Sequence, residues 1–235
     1  MSFRTFILGL AASFGVAWLA IIVIPFVKMR NRAPIQLSEA KDGATGIFFP
    51  KRSGRVADGA LVYAGNGCYL CHSQLVRPTY AGNDIFRPDA GGLNAADGRE
   101  VDTRRETMPE DFYGERFAQI GVTRMGPDLA NLGVRVEKIY AKGGDPAKWL
   151  YAHLYNPRQE PDRWKSNCPP YRFLFEEKKV MGNRLDNAMP STEGDDMEMV
   201  PTAEGKALVS YLLSLKKDQA LPASVNPAPA PKKKG

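Results

Sequence analysis

The chain has 235 residues, of which 43% are hydrophobic and 25% are charged. This length suits one domain of ordinary size together with an anchor, and the composition permits a packed core, which excludes disorder of the whole chain. The net charge of +6 comes from scattered basic residues and a Lys232–Lys234 run near the end rather than from a basic stripe with interleaved aromatic residues, so nucleic acid is not an expected partner.

The first predicted element is a transmembrane helix over residues 6–27. This segment, FILGLAASFGVAWLAIIVIPFV, carries no charge, and a helix of its length crosses the ~30 Å hydrocarbon core of a bilayer. A cleaved signal peptide is the alternative, but its apolar region would be unusually long, and the following KMRNR does not resemble a small-residue cleavage site. We therefore expect an uncleaved single-pass anchor after a short N-terminus, residues 1–5.

Residues 28–52 are predicted to form a linker, and residues 53–217 the main domain. The domain begins with an amphipathic helix, because apolar side chains recur on one face at helical spacing. These side chains are Val56, Ala60, Tyr63 and Ala64. Gly65-Asn66-Gly67 ends the helix, since these residue types interrupt regular structure.

The rest of the domain combines a long loop with two further helices. Residues 79–121 are rich in Gly, Asp, Arg and Pro and show little periodicity, which predicts a loop that is a functional surface or partly disordered. Asp145-Pro146 opens a helix over 146–155, and Thr202 caps another over 202–216. Residues 218–235, rich in Pro, Ala and Lys, are predicted to be a disordered tail.

The main functional motif is the pentapeptide Cys68-Tyr69-Leu70-Cys71-His72. Cys-x-x-Cys-His is the pattern of covalent c-type haem attachment: two thiols presented by one turn add to the haem vinyl groups, and the adjacent histidine binds the iron. We therefore predict one covalently bound haem c, with Cys68 and Cys71 as attachment residues and His72 as the proximal iron ligand.

Three other interpretations of the motif have less support. Zinc would need four Cys or His ligands, and only Cys168 and His153 remain, without a second paired motif. A thioredoxin-like redox pair would need a βαβ setting, whereas the surrounding pattern is helical and loop-like. A disulfide between Cys68 and Cys71 would be strained by its short loop.

The haem motif also indicates on which side of the membrane the main domain lies. Arg4 precedes the predicted anchor, whereas Lys28, Arg30 and Arg32 follow it, and this charge distribution alone favours a cytoplasmic domain. Long soluble domains, however, translocate largely regardless of local charge. Because haem is attached to such motifs on the outer side of bacterial inner membranes, we expect the domain on the periplasmic side.

Four segments resemble, in the same order, the monohaem cytochrome c subunit (subunit II) of cbb3-type cytochrome c oxidases. The first contains the pentapeptide and reads GCYLCHSQLVRP at 67–78. The others are MGPDLANLG at 125–133, HLYNPR at 153–158 and ALVSYLLSL at 207–215. Together with the N-terminal anchor, the resemblance covers most of the chain.

This resemblance implies an all-α, class I-like cytochrome c domain with long loops, tethered by one N-terminal transmembrane helix. It further implies that the chain carries single electrons to a terminal haem–copper oxidase as a subunit of that complex, without being catalytic by itself. The implied partners are the large catalytic oxidase subunit, other cytochrome c subunits, an upstream electron donor and the membrane. Two histidines in the whole chain are too few for a binuclear oxygen-reducing centre.

Roles for three residues beside the haem follow from the resemblance. In such cytochromes the proline carbonyl of Gly-Pro-Asp-Leu accepts a hydrogen bond from the proximal imidazole. Pro127 would do this for His72 and so fix the orientation and basicity of the ring, whereas without the family context Gly126-Pro127 would be an ordinary turn. Arg77, and with it Arg124, are candidate partners of the haem propionates.

The sixth iron ligand is the point at which the sequence departs from the family pattern. The family has Met-Pro-x-Tyr after the third segment, whereas Cys168-Pro169-Pro170-Tyr171 stands here. Cys168 would ligate as a thiolate and lower the reduction potential relative to Met/His ligation. Met189, which precedes a proline, is the alternative, and an open sixth position is the third outcome. Weaker candidates are His153, Met181, Met197 and Met199.

Two other functions keep the haem. A free membrane-tethered cytochrome, or a subunit of another respiratory complex, would use the domain as an electron shuttle, with the 79–121 loop as docking surface. An open sixth position would instead suit a haem-based ligand sensor. Resemblance alone does not choose among these functions, because function depends on the site rather than on the fold.

Overall fold

The computed structural model describes residues 2–30, 35–48, 54–87, 89–97, 102–113, 115–140, 144–159, 163–191, 194–218 and 221–225. These residues are largely helical with few strands. The chain divides into two units, Met1–Phe48 with Leu221–Gly235 and Phe49–Ala220.

The N-terminal helix is longer than the predicted 6–27. Helix α1 (Phe3–Trp18) continues through a π-helical turn (Leu19–Val23) into α2 (Ile24–Arg30). Pro25 accounts for the turn, because its ring lacks an amide hydrogen and would collide with the carbonyl four residues earlier. The amide of Ile24 instead donates to the carbonyl of Leu19, five residues back.

This helix has the properties of a membrane span. Within Phe3–Lys28, the most apolar window of 18 residues has a mean hydropathy of 2.5, and none of it is buried. At 26 residues it is longer than the roughly 20 residues that a membrane crossing needs. Among the described residues it is the one helix long and apolar enough to cross a membrane.

The first unit also contains part of the predicted linker. Strand β1 (Gln36–Leu37) pairs antiparallel with β2 (Gly46–Ile47), and the short helix α3 (Glu39–Asp42) lies between them. Because the hairpin and its helix are only a few residues long, their periodicity is too short to stand out in the sequence.

Some residues of the predicted tail are packed or hydrogen-bonded. Asp218 is 3% exposed. In the first unit the carboxylate of Asp42 accepts hydrogen bonds from the amide of Ser224 (3.0 Å) and from its hydroxyl (2.5 Å). These contacts were not expected from the sequence, because composition does not reveal a single side-chain partner far away in sequence. Residues 226–235 lie outside the described residues.

The described part of the second unit has four helices, α4 (Gly54–Gly65), α5 (Leu132–Tyr140), α6 (Pro146–Tyr155) and α7 (Ala203–Leu213). The predicted α6 and α7 are confirmed together with their caps, although α7 ends three residues early. The side chain of Asp145 accepts a hydrogen bond from the first turn of α6, and that of Thr202 from the first turn of α7.

Helices α4 and α7 cross in close contact at Gly59. A Cβ atom at this position would lie 2.0 Å from the carbonyl oxygen of Ala207, so only glycine permits the approach. One turn further along α4, the buried rings of Tyr63 and Tyr211 lie 5.4 Å apart. This crossing forms the centre of the hydrophobic core, to which α5 and α6 contribute apolar side chains.

A small antiparallel sheet departs from the expected all-α domain. Its strand order is β3 (Phe175–Lys179), β5 (Met197–Pro201) and β4 (Met189–Pro190), with Met189 opposite Met199. Strands of two to five residues are too short for a two-residue alternation to be recognised.

The 79–121 segment is a packed loop with three 3-10 turns, Asp84–Phe86, Ala95–Asp97 and Pro109–Phe112. Its residues 88, 98–101 and 114 lie outside the described residues. Two of its buried carboxylates, Asp84 and Asp111, pair with arginines. Buried charges need such partners, and these ion pairs are not visible as a periodic pattern in the sequence.

Candidate functional site

Cys68, Cys71 and His72 lie on a turn directly after α4. Gly67 has a φ of +68°, a left-handed conformation that glycine adopts readily, and it leads the chain out of the helix. A 3-10 turn (Cys68–Leu70) follows, and the amide of His72 donates to the carbonyl of Cys68 at 3.0 Å. The predicted attachment residues are thus brought together by local structure.

All three side chains line one cavity of about 540 Å³, here called the central cavity. This volume lies in the range of small-molecule and cofactor sites, about 300–1,000 Å³. The apolar walls come from α4, α5, α6, α7 and the segment before α5. They include Tyr63, Leu129, Leu132, Leu150, Leu154, Leu208 and Leu212.

The imidazole of His72 is held by Pro127. Its Nδ1 lies 2.8 Å from the carbonyl oxygen of Pro127, which is the hydrogen bond that the resemblance implies. A ring that donates from Nδ1 keeps Nε2 for a metal. Gly126 lies against the ring, and a Cβ there would come 2.2 Å from Cε1 of His72.

Two segments, 69–75 and 120–129, run side by side and fix this arrangement. Three backbone hydrogen bonds of 2.9 Å join them, from Val122 to Tyr69, from Gln74 to Ile120 and from Gly126 to Cys71. The buried carboxylate of Asp128 adds two more, from the hydroxyl of Ser73 (2.6 Å) and the amide of Leu75 (2.9 Å). Asp128 was not predictable from the sequence, because its partners lie more than fifty residues earlier.

The cysteines are free thiols, without disulfides. Burial raises the pKa of the Cys68 thiol to about 11, and burial also raises the pKa of Cys168. Both groups therefore remain protonated at neutral pH while no metal or electrophile is bound. The side chain of Tyr171 is hydrogen-bonded to Cys68.

The two predicted sulfur candidates for the sixth ligand lie in different places. Cys168 lines the central cavity. Met189 is 4% exposed and packs in the hydrophobic core on β4, outside the cavity lining. His153 also lines the cavity and stacks on Trp149 with the ring centroids 5.2 Å apart.

The predicted propionate partners Arg77 and Arg124 pair with Asp84 and do not line the central cavity. Arg77 Nη2 lies 2.9 Å from Asp84 Oδ1, and Arg124 Nη1 lies 2.8 Å from Asp84 Oδ2. The Arg77 side chain in particular holds the pKa of the Asp84 carboxyl well below its usual range. Among the described residues, the cations that line the cavity are Arg163 and Lys165, and no motif in the sequence marks either of them.

Among the described residues, no three Cys, His, Asp or Glu side chains are close enough to hold a metal ion by themselves. One imidazole and two thiols thus meet at a single, largely apolar cavity. Searches for related proteins find no matching family model and no significantly similar curated protein.

Proposed function

We propose that this chain is a membrane-anchored monohaem c-type cytochrome that carries single electrons to a terminal haem–copper oxidase as a subunit of that complex. The observation that carries the proposal is the setting of the Cys-x-x-Cys-His turn. The turn opens onto a largely apolar cavity, and its histidine is hydrogen-bonded to the carbonyl of Pro127. A chance pentapeptide on a surface loop would have neither feature.

Each site residue has a role in this proposal. Cys68 and Cys71 hold the haem covalently, and His72 ligates the iron through Nε2. Pro127 orients the imidazole and increases its basicity, as outer hydrogen-bond partners of metal ligands do. The bound haem supplies reversible one-electron chemistry, and the apolar walls limit the access of water to it, which tunes the potential. The domain would then be a class I-like cytochrome c domain.

Cys168 is our proposed sixth ligand. It lines the same cavity as His72, whereas Met189 belongs to the core beside the sheet. The position of Cys168 after the third family-like segment also agrees with the place of the ligand in the resembling family. Thiolate ligation would give this cytochrome a lower potential than Met/His ligation gives.

The oxidase and membrane assignments rest on the order of the four family-like segments and on the N-terminal helix. An added Cβ at Gly9 or Gly15 would meet nothing within 4 Å, and such small residues allow a neighbouring helix to approach closely. We place the chain in a bacterial inner membrane with its haem domain on the periplasmic side, where c-type haem is attached.

Purification of the native complex in mild detergent tests the proposal. We expect covalent haem on a chain of about 26 kDa after denaturing electrophoresis, and co-migration with oxygen-reducing activity under native conditions. A Cys68→Ala/Cys71→Ala variant should lose the covalent haem. A haem-bearing chain that migrates alone would identify a free shuttle, carbon monoxide binding by the reduced chain would identify a sensor, and a chain without haem would overturn the proposal.

A further inference from the structure

A short segment between α6 and β3, residues 163–168, forms part of the wall of the central cavity. Five of its six residues line the cavity, namely Arg163, Lys165, Ser166, Asn167 and Cys168. Among the described residues of the lining, Arg163 and Lys165 carry the only permanent charges, and none is an aspartate or a glutamate. A largely apolar cavity therefore has two cations on a single segment.

The position of this segment is set by several contacts. The guanidinium carbon of Arg163 lies 4.9 Å from the ring centroid of Trp149, which is itself part of the lining on α6. Such cation–π contacts favour one orientation of the cation. The amide of Ser166 donates to the carbonyl of Arg163 at 2.8 Å, and the amide of Tyr171 donates to the carbonyl of Leu154 at 2.8 Å. The contact with Trp149 of α6 thus holds Arg163 at the cavity, whereas the Lys165 ammonium lies 4.6 Å from the ring centroid of its neighbour Trp164.

We infer that Arg163 and Lys165 bind the two carboxylates of the cofactor and thereby orient it and raise its reduction potential. This inference rests on the proposed function. A c-type haem combines an apolar ring with two propionate groups on one edge, and the cavity combines apolar walls with two cations on one segment. Arginine can bind a carboxylate through two parallel hydrogen bonds, whereas lysine acts as a point charge.

The geometry also explains why the earlier candidate Arg77 is unsuited to this role. Its Nε and Nη2 donate to the carboxylate of Asp84 at 3.0 and 2.9 Å, and Asp84 is fully buried. Redirecting Arg77 toward a cofactor would leave a buried carboxylate with one partner fewer, which is costly. Arg163 and Lys165, in contrast, line the cavity.

The reduction potential is the quantity that separates this role from a merely structural one. Oxidised haem carries one positive charge more than reduced haem, so a nearby cation destabilises the oxidised form and raises the potential. Covalent attachment through Cys68 and Cys71 keeps the haem bound when a cation is removed, and the potential remains measurable.

The test uses the full chain in detergent with its haem attached and compares Arg163→Gln, Lys165→Gln and the double variant by redox titration of the visible spectrum. Each single variant should shift the potential downward, and the double variant should shift it further. Arg163→Lys should restore part of the shift. Lys178→Gln is the matched control, because Lys178 pairs with Glu176 at 2.8 Å on β3 and does not line the cavity; its potential should be unchanged.

Unchanged potentials in both cavity variants, on a chain that carries haem, would overturn the inference while leaving the proposed function intact. An equal shift of the potential in Lys178→Gln would also overturn the inference, because the potential would then depend on the overall charge of the chain rather than on these two cations. If the variants changed only the salt dependence of electron transfer to a partner, the cations would serve docking instead. Absence of haem from the wild-type chain would refute the proposed function itself. Lys165 is exposed, so its substitution should not prevent folding.

Discussion

Gly126 lies so close to the imidazole of His72 that a Cβ atom at position 126 would stand 2.2 Å from Cε1. We expect Gly126→Ala to displace the ring and weaken its hydrogen bond to Pro127. Overpacking of this kind costs about 1–3 kcal/mol, and a displaced ligand should also alter the visible spectrum of the haem-bearing chain. Thermal unfolding and absorption spectroscopy measure the two effects.

Gly65→Ala is the control for this prediction. Gly65 ends α4 near the same turn, but an added Cβ there would meet nothing within 4 Å. We expect a wild-type spectrum and nearly wild-type stability. If both variants lost equal stability, close packing against His72 would not be the cause of the loss in Gly126→Ala.

Removal of the Cys168 thiol should change the iron coordination. We expect Cys168→Ala to shift the near-infrared and visible bands of the oxidised chain and to raise its potential, because a thiolate ligand favours the oxidised form. Met189→Leu should leave the spectrum unchanged, since Met189 is packed in the core beside Met199 rather than at the cavity. The opposite pattern would assign Met189 as the ligand, and no change in either variant would exclude both sulfurs.

The ion pairs of Asp84 should make the free energy of unfolding depend on pH. Arg77 and Arg124 hold the pKa of its carboxyl below the value of about 3.9 that it has in an unfolded chain. These contacts therefore stabilise the fold above about pH 4, and the stabilisation is lost as the pH falls further. Asp84→Asn should lower the free energy of unfolding at pH 7 by about 1–3 kcal/mol. Denaturant titration at pH 7, 5 and 3 should show the difference from wild type shrinking in acid.

Asp102→Asn provides the comparison for Asp84. Asp102 pairs with Arg104, but its side chain is 42% exposed, and exposed ion pairs contribute little to stability. If Asp102→Asn lowered the free energy of unfolding at pH 7 as much as Asp84→Asn does, burial would not be what makes the Asp84 ion pairs stabilising.

The helix crossing at Gly59 should tolerate no side chain. The nearest atom to an added Cβ is the carbonyl oxygen of Ala207 in α7, at 2.0 Å, and a backbone atom of a packed helix moves only with the helix. We expect Gly59→Ala to lower stability by about 1–3 kcal/mol. Gly54→Ala, on the same helix but with nothing within 4 Å, should be neutral or slightly stabilising because alanine favours helix. Circular dichroism during thermal unfolding compares the two.

Features encoded by neighbouring residues were predictable from the sequence. The caps Asp145 and Thr202 and the turn after α4 depend on contacts within a few residues, and the structure has all three. Helix α5 was missed because its sequence, LGVRVEKIY, contains glycine and β-branched valines, which disfavour helix formation in isolation. Its packing against α6 and α7 overrides that preference.

Features that depend on distant partners were not predictable. Arg77 and Arg163 are both arginines in loop-like sequence, and nothing nearby shows that the first meets a buried carboxylate while the second lies over a tryptophan. The same holds for Cys168 and Met189, since only the tertiary fold decides which sulfur reaches the cavity. The motif singled out Cys68, Cys71 and His72, and the structure shows which other residues line the same cavity.

The pairing of segments 69–75 and 120–129 has a consequence for the order of folding. Pro127 and Asp128 each reach partners 55 residues earlier, and closing so long a loop costs chain entropy before its contacts form. Helix α4 and the turn after it need only local contacts. We expect Cys68 and Cys71 to be displayed on an early-formed helix end while still open to solvent, so that their covalent modification precedes the closure of the chain over His72.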